Sequence, residues 1–128
     1  MEVIHPGLII HNYCVIAKPH PKYKYMVTAC VEPKFLFFLI NSEIHEIYHK
    51  NQELLDCQIL IEMSIYKFLK KDSYIDCTEP ISAPVDLAKQ NGILMTIRND
   101  LKQKIIYSIN KNTVMQGISK EMILKSLL

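Results

Sequence analysis

Six consecutive apolar residues, from Phe35 to Ile40, form the feature that most restricts the fold of this chain. A strand with one face in water alternates apolar and polar residues, whereas an unbroken apolar run is typical of a strand buried on both faces. The run is far shorter than the ~20 residues that a membrane-spanning helix needs. The segment Glu32-Pro33-Lys34 precedes it and predicts a turn. The run therefore predicts a strand within a sheet that is covered on both faces.

Other strands are predicted from stretches of β-branched and aromatic residues that are bounded by turn signals. These stretches are 8–16, 25–31, 59–61 and 73–77. Residues 41–58 are open to two interpretations. Ile44, Ile47 and Leu55 fall on one face of a helix, but 44–49 also fits a short strand. The chain thus contains five or six short strands.

The last third of the chain is predicted to be helical. Apolar residues recur at helical spacing over 101–109, and Asn99 or Asp100 is placed to cap the start. A break at 110–117 precedes a final amphipathic helix that Ser119 is expected to cap. Strands followed by helices predict one α+β domain spanning all 128 residues, built as a small curled barrel with helices packed on one side.

Charge and cysteine usage narrow the classes of function. The formal net charge is only +2, and 14 of the 15 cationic residues are lysines, so nucleic-acid binding would need a local patch. The four cysteines form no C-x-x-C pair and lie mostly in apolar runs, which is typical of reduced core thiols in a cytosolic protein. The first residues carry no basic signal-type segment, so we expect a soluble, cytoplasmic protein without membrane contact.

A basic segment at 18–28 is the first candidate site. Two prolines stiffen it, and it contains His20, Lys22 and Lys24. Metal-free cleavage of RNA needs a base, an acid and a cation, which a histidine and two lysines are able to supply. Lys22 and Lys24 alternate, so in a strand they would point to the same face. Tyr23 is a candidate for stacking on a base. The structural alternative is a solvated basic turn.

Polar residues at two strand ends are candidates for substrate binding. Asn41 and Ser42 follow the apolar run, and Asp72 precedes the strand predicted at 73–77. Their side chains are able to bond a phosphate or a base edge. The alternative is local turn chemistry, which these residue types favour.

The segment His45-Glu46-Ile47-Tyr48-His49 matches the pattern H-E-x-x-H. On an α-helix this pattern places two histidines on one face around zinc, with the glutamate as general base. A third ligand would have to come from elsewhere, and Glu53, Cys57, Glu62 and Asp72 are available. A zinc hydrolase is therefore one alternative function, against a polar segment with two surface histidines.

The order of features resembles the MazF/PemK family of bacterial toxins. A glycine, Gly7, precedes the first strand, and the basic segment 18–24 precedes the second. A small hydroxyl residue, Ser42, follows the third strand, and an aspartate, Asp72, precedes a late one. The segment Gly92-Ile93-Leu94 then precedes a helix. The resemblance covers most of the chain and is one of order and spacing.

The resemblance implies an SH3-like barrel that acts as a homodimer, cuts single-stranded RNA without a metal or other cofactor, and is inhibited by an antitoxin protein. It implies His20, Lys22 and Lys24 as catalytic residues, and Tyr23, Asn41, Ser42 and Asp72 as substrate-binding residues. The family carries an arginine near the second strand, where this chain has histidine and lysine. A non-catalytic binding module on the same barrel is therefore the first alternative.

Overall fold

The computed structural model describes residues 4–14, 19–20, 22–82 and 93–128. In this part of the chain six strands form one sheet in the order β4-β5-β3-β2-β1-β6, and every neighbouring pair is antiparallel. The strands are β1 Leu8–Cys14, β2 Lys22–Cys30, β3 Leu36–Asn41, β4 Gln58–Ile61, β5 Ser73–Asp76 and β6 Ile93–Thr96. The sheet curls into a half-barrel whose two edges are β4 and β6.

The helices follow the strands, as predicted, and the α+β class is confirmed. They are a 3₁₀ helix Glu46–Lys50, then α1 Gln52–Leu55, α2 Asn99–Lys111 and α3 Gly117–Leu127. Helices α2 and α3 pack on one face of the sheet, where Ile105, Ile109 and Ile123 join the main apolar core. None of the helices in the described ranges is both long and apolar enough to span a membrane.

Strand β3 is buried on both faces, which confirms the prediction from its continuous apolar run. Phe38 belongs to the core between sheet and helices, whereas Phe37 belongs to a second cluster with Ile10 and Met26. Both phenylalanine side chains are 0% exposed. Successive residues of a strand point to opposite faces, so an unbroken apolar run supplies both clusters.

Two boundaries in the sheet differ from the prediction. Strand β2 begins at Lys22, so Lys22 and Lys24 lie within a strand and not in a loop before it. The reason is pairing with β1, in which Lys22 faces Cys14 and Lys24 faces Asn12. Strand β6 was not predicted, because four residues carry too little periodicity, and its position depends on pairing with the start of β1. Residues 46–55 form helical turns, which settles the segment that the sequence left open.

Gly7 links three strands at the start of β1. Its φ angle of +88° lies in the region that glycine tolerates at little cost. Its N–H donates to the carbonyl of Thr28 at 2.7 Å, and its carbonyl accepts from the N–H of Ile97 at 2.9 Å. The glycine thus joins the beginning of β1 to the strand β2 on one side and to the end of β6 on the other.

The predicted helix caps are wrong. Arg98 precedes α2 and Gln116 precedes α3, and neither forms a side-chain cap bond. The chain turns between these helices at Asn112 instead. Its Oδ1 accepts from the N–H groups of Val114 and Met115, both at 2.7 Å, and it is buried. A local turn at Asn112 therefore separates the two helices in place of the predicted caps.

The four cysteines, Cys14, Cys30, Cys57 and Cys77, are free thiols and buried. This agrees with their assignment as core residues. Gly92 of the segment Gly92-Ile93-Leu94 lies outside the described residues, as does Lys18 of the basic segment.

Candidate functional site

One end of the sheet carries a polar cavity of about 540 Å³. Strand alternation places Lys22 and Lys24 on one face of β2, and Asn41 follows on the same face of β3. We call this space the lysine cavity. It is lined by Lys22, Lys24, Leu39, Asn41, Ser42, Glu43, Ile44, His45, Glu46, Tyr48 and Asp76. Four of the residues predicted from the sequence, Lys22, Lys24, Asn41 and Ser42, therefore meet in one place.

Lys24 is a half-buried cation in this cavity. Its Nζ donates to Asn41 Oδ1 at 2.7 Å. Burial lowers the pKa of Lys24, the neighbouring charge of Lys22 lowers it further, and the Cys14 thiol acts in the opposite direction. Within the described chain, no carboxylate is among the groups that shift this pKa. Since buried charges are usually paired, a half-buried ammonium bonded to a neutral amide leaves room for an anionic ligand.

Asp76 lies in the same cavity, but its carboxylate is satisfied by groups of the protein. It accepts from the Tyr48 hydroxyl at 3.2 Å, from Gln58 Nε2 at 3.0 Å and from the Thr78 N–H at 3.0 Å. Burial and the charge of Asp76 raise the pKa of Tyr48, so its hydroxyl stays protonated at neutral pH. Asp76 therefore orients Tyr48 and does not neutralise Lys24.

Two glutamates lie on the outer wall of the lysine cavity. Glu43 pairs with Lys71 at 3.8 Å across exposed side chains, an interaction that water screens. Glu46 is exposed in the first turn of the 3₁₀ helix. The cavity thus has cations on its sheet wall, which suit an anion, and carboxylates at its exposed side, which suit proton transfer.

The H-E-x-x-H segment does not have the geometry that zinc needs. His45 precedes a five-residue 3₁₀ helix, and its Nδ1 accepts from the N–H of Ile47 at 3.2 Å. That bond leaves the proton on Nε2 in the neutral ring. A 3₁₀ helix aligns residues three apart, so His45 and His49 do not share a face as they would on an α-helix. The described residues contain no group of three histidine, cysteine, aspartate or glutamate side chains that could hold a metal ion.

Asp72 lines a neighbouring cavity of about 570 Å³, together with Ser42, His49 and Tyr74. Its Oδ1 accepts from the N–H of Met63, nine residues earlier, at 2.9 Å, so it ties together the two ends of the segment that connects β4 to β5. Ser42 lines both cavities. Asp72 is therefore close to the lysine cavity through shared walls, but it is not part of it.

The other two predicted site residues lie elsewhere. Tyr23 is on the opposite face of β2 from Lys22 and Lys24, 47% exposed, with its ring 5.6 Å from that of His11. His20 is exposed in a bend before β2 and is not among the residues that line the lysine cavity. The grouping of His20 with the two lysines in one catalytic centre therefore has no support from the cavity.

Sequence reasoning missed Tyr48 and His45 as parts of this site. Tyr48 lies in the segment 41–58, which was open to two interpretations. No local pattern indicates that its hydroxyl bonds Asp76, 28 positions away. A useful signal was the aspartate at the end of β5, because a carboxylate that closes a short strand needs hydrogen-bond donors nearby.

No protein-family model, curated protein or solved structure matches this chain. The resemblance to the MazF/PemK family therefore stays a prediction.

Proposed function

We propose that this protein binds single-stranded RNA through its phosphate groups in the lysine cavity and cleaves it without a metal ion. The observation that carries the proposal is the half-buried Lys24 ammonium, which is bonded to the neutral Asn41 amide and lies beside Lys22. Two cations on one face of β2 suit a phosphodiester, whose charge would complete the pairing of Lys24.

Cleavage in this proposal is attack of a ribose 2′ oxygen on the adjacent phosphorus. The 2′-hydroxyl gives up its proton to water as the new P–O bond forms. The P–O5′ bond breaks and O5′ takes a proton from the Lys24 ammonium, which leaves a cyclic 2′,3′-phosphate and a free 5′-hydroxyl. Lys22 supplies charge to the phosphorane, and Lys24, whose pKa is lowered, exchanges a proton at neutral pH more readily than an ordinary lysine. Tyr48 takes no part in the transfer, because its single O–H already donates to Asp76.

The test is cleavage of a long single-stranded RNA by the purified protein in the presence of EDTA. We expect cleavage that EDTA does not prevent. Lys24→Gln keeps a donor for Asn41 but removes the charge, and we expect it to lower the rate by about 10²–10³-fold, the usual cost of losing one group that stabilises the transition state. Lys34→Ala, in the exposed turn before β3, is the matched control and should cleave at the wild-type rate.

A binding module without catalysis is the second candidate, because His20 is not among the lining residues of the lysine cavity. It predicts binding of a non-cleavable 2′-O-methyl RNA that weakens in Lys24→Gln, with no cleavage of ordinary RNA. If neither binding nor cleavage occurs, the RNA proposal is wrong.

The proposal places the protein in the cytoplasm, where RNA and an antitoxin would be its partners. If an antitoxin inhibits this protein, expression of its gene alone should slow the growth of bacteria. Expression of the antitoxin gene together with it should restore growth. Harmless expression at a high level would contradict the toxin function while leaving RNA binding open to the direct measurement.

A further inference from the structure

A second cavity, of about 810 Å³, runs along the outer side of β4 and has no part in the proposed RNA site. The consecutive residues 56–60 form one wall. Because consecutive residues of a strand point to opposite faces, such a wall is the backbone edge of the strand and not one of its faces. The other wall includes Lys104, Tyr107 and Lys111, which share one stripe of α2. The space is thus a groove between a strand edge and a helix.

The edge of β4 offers regularly spaced backbone groups. The N–H of Cys77 donates to the carbonyl of Cys57 at 2.9 Å, so these two residues form a hydrogen-bonded pair of the ladder. The pattern alternates in antiparallel strands, so the N–H and C=O groups of Gln58 and Leu60 point away from β5, toward the groove. Within the described chain no backbone hydrogen bond reaches these outward groups. An open edge of this kind is a template for another strand.

Exposed apolar side chains lie beside these groups. Leu60 is 43% exposed on β4, and Tyr107 is 63% exposed on α2. A strand that paired with β4 would cover both, so backbone pairing and apolar burial would act together.

We propose that the β4 edge pairs with the β4 edge of a second copy of this chain, antiparallel about a twofold axis near Ile59. In this register Gln58 lies opposite Leu60 of the other copy. Each copy supplies two outward N–H groups, those of Gln58 and Leu60, so the two copies form four backbone hydrogen bonds. The result is one continuous twelve-stranded sheet, six strands from each copy, with both α2 helices on the same side.

The charges along the groove favour a second copy as the occupant. Helix α2 runs antiparallel to β4, because its start contacts Tyr66 through the Arg98 N–H, and Ser108 contacts the Asp56 carbonyl. Asp56 therefore marks one end of the groove, where Glu53 and Lys111 also lie, so that two carboxylates and one ammonium leave this end net negative. Lys104, one turn before Ser108, lies toward the other end. A twofold axis across β4 brings the Asp56 end of one copy to the Lys104 end of the other. The surface is thus complementary to itself in charge, as an isologous interface requires.

The experiment is sedimentation equilibrium of the full chain and of its variants. We expect a reversible dimer for the wild type. Tyr107→Asp should raise the dimer dissociation constant at least about tenfold, as loss of a central aromatic contact does. Ile118→Asp is the control, because Ile118 is 67% exposed on α3, away from the groove, and the dissociation constant should not change.

Leu60→Pro and Leu60→Ala separate backbone pairing from side-chain packing. Both remove the leucine side chain, but only proline removes the outward N–H, and proline is tolerated at such edge positions. We expect a weaker dimer for Leu60→Pro than for Leu60→Ala. Circular dichroism shows whether the proline variant folds. If the proline variant does not fold, amide hydrogen exchange of the wild type is measured instead. The Gln58 and Leu60 amides should then gain protection as the protein concentration rises.

Three results would overturn the inference. The first is a monomeric wild type, and the second is a dimer that Tyr107→Asp does not weaken. The third is an equal dimer dissociation constant for Leu60→Pro and Leu60→Ala. If the proline variant does not fold, the third result is instead protection of the β4 amides that does not change with protein concentration. A monomer would leave the groove to an extended segment of another protein. None of these results bears on RNA cleavage, so this inference and the proposed function are tested separately.

Discussion

At the scale of a single residue, Lys24 has the most unusual environment among the charged groups of the lysine cavity. Its ammonium is half buried, bonded to an amide, and placed next to another lysine. These surroundings disfavour the protonated form, so the pKa is lowered relative to that of a lysine in the unfolded chain. An anion in the cavity would favour the protonated form again.

Lys24 therefore gives anion binding a distinctive pH dependence. The cation is present below its folded-state pKa, so affinity for a short 2′-O-methyl RNA should fall as pH rises through that lowered value, earlier than the ordinary lysine pKa of 10.5. A binding titration from neutral to alkaline pH checks this. Lys24→Gln should remove this fall in RNA affinity at the lowered pKa. A wild-type affinity that stays constant until the ordinary lysine range would argue against Lys24 as the binding group.

At the scale of secondary-structure elements, Asn112 joins the helical layer to the sheet. Its Nδ2 donates to the carbonyls of Cys77 and Thr78 at 2.9 and 3.0 Å. Its Oδ1 accepts from two N–H groups of the turn before α3. One amide thus holds the end of β5, the end of α2 and the start of the next segment together.

Asn112→Ala should lower the free energy of unfolding by about 2–4 kcal/mol, because it leaves several buried backbone groups without partners. Asn110→Ala is a matched control two residues earlier, exposed on α2, and should change stability by less than about 0.5 kcal/mol. Chemical denaturation of both variants measures the difference. Equal stability of the two would mean that water replaces the Asn112 bonds at no cost.

At the scale of the whole molecule, the sheet is a partition between two apolar clusters. The larger one contains the helices and Phe38, and the smaller one contains Phe37, Leu8 and Ile10. Antiparallel sheets often leave one face to water, but here both faces are covered in the described chain. The two clusters share the backbone of β1, β2 and β3, so we expect them to unfold together.

Phe37→Ala and Phe38→Ala test this expectation. Each removes a ring that is 0% exposed, and each should cost about 3–5 kcal/mol, with one cooperative transition. Ile47→Ala, at a side chain 62% exposed, should cost much less. Thermal and chemical denaturation provide the comparison. If Phe37→Ala costs under about 1 kcal/mol, the smaller cluster contributes little to the fold.

The sequence by itself determined the features that depend on near neighbours. The unbroken run 35–40 predicted a strand buried on both faces, and the spacing at 101–109 predicted α2. Lys22 and Lys24 alternate and so share a face wherever they lie in a strand, but pairing with β1 is what includes them in β2. These results follow because hydrophobic periodicity and side-chain alternation are local properties of a helix or strand.

The tertiary structure decided which of these residues meet. It brought Asn41 to Lys24 and Tyr48 to Asp76, and it placed Tyr23 on the other face. It also added β6 by pairing with β1 and replaced the expected caps by the bonds of Asn112. The physical reason is that pairing, burial and the resulting pKa shifts depend on groups distant in sequence, which no local pattern records.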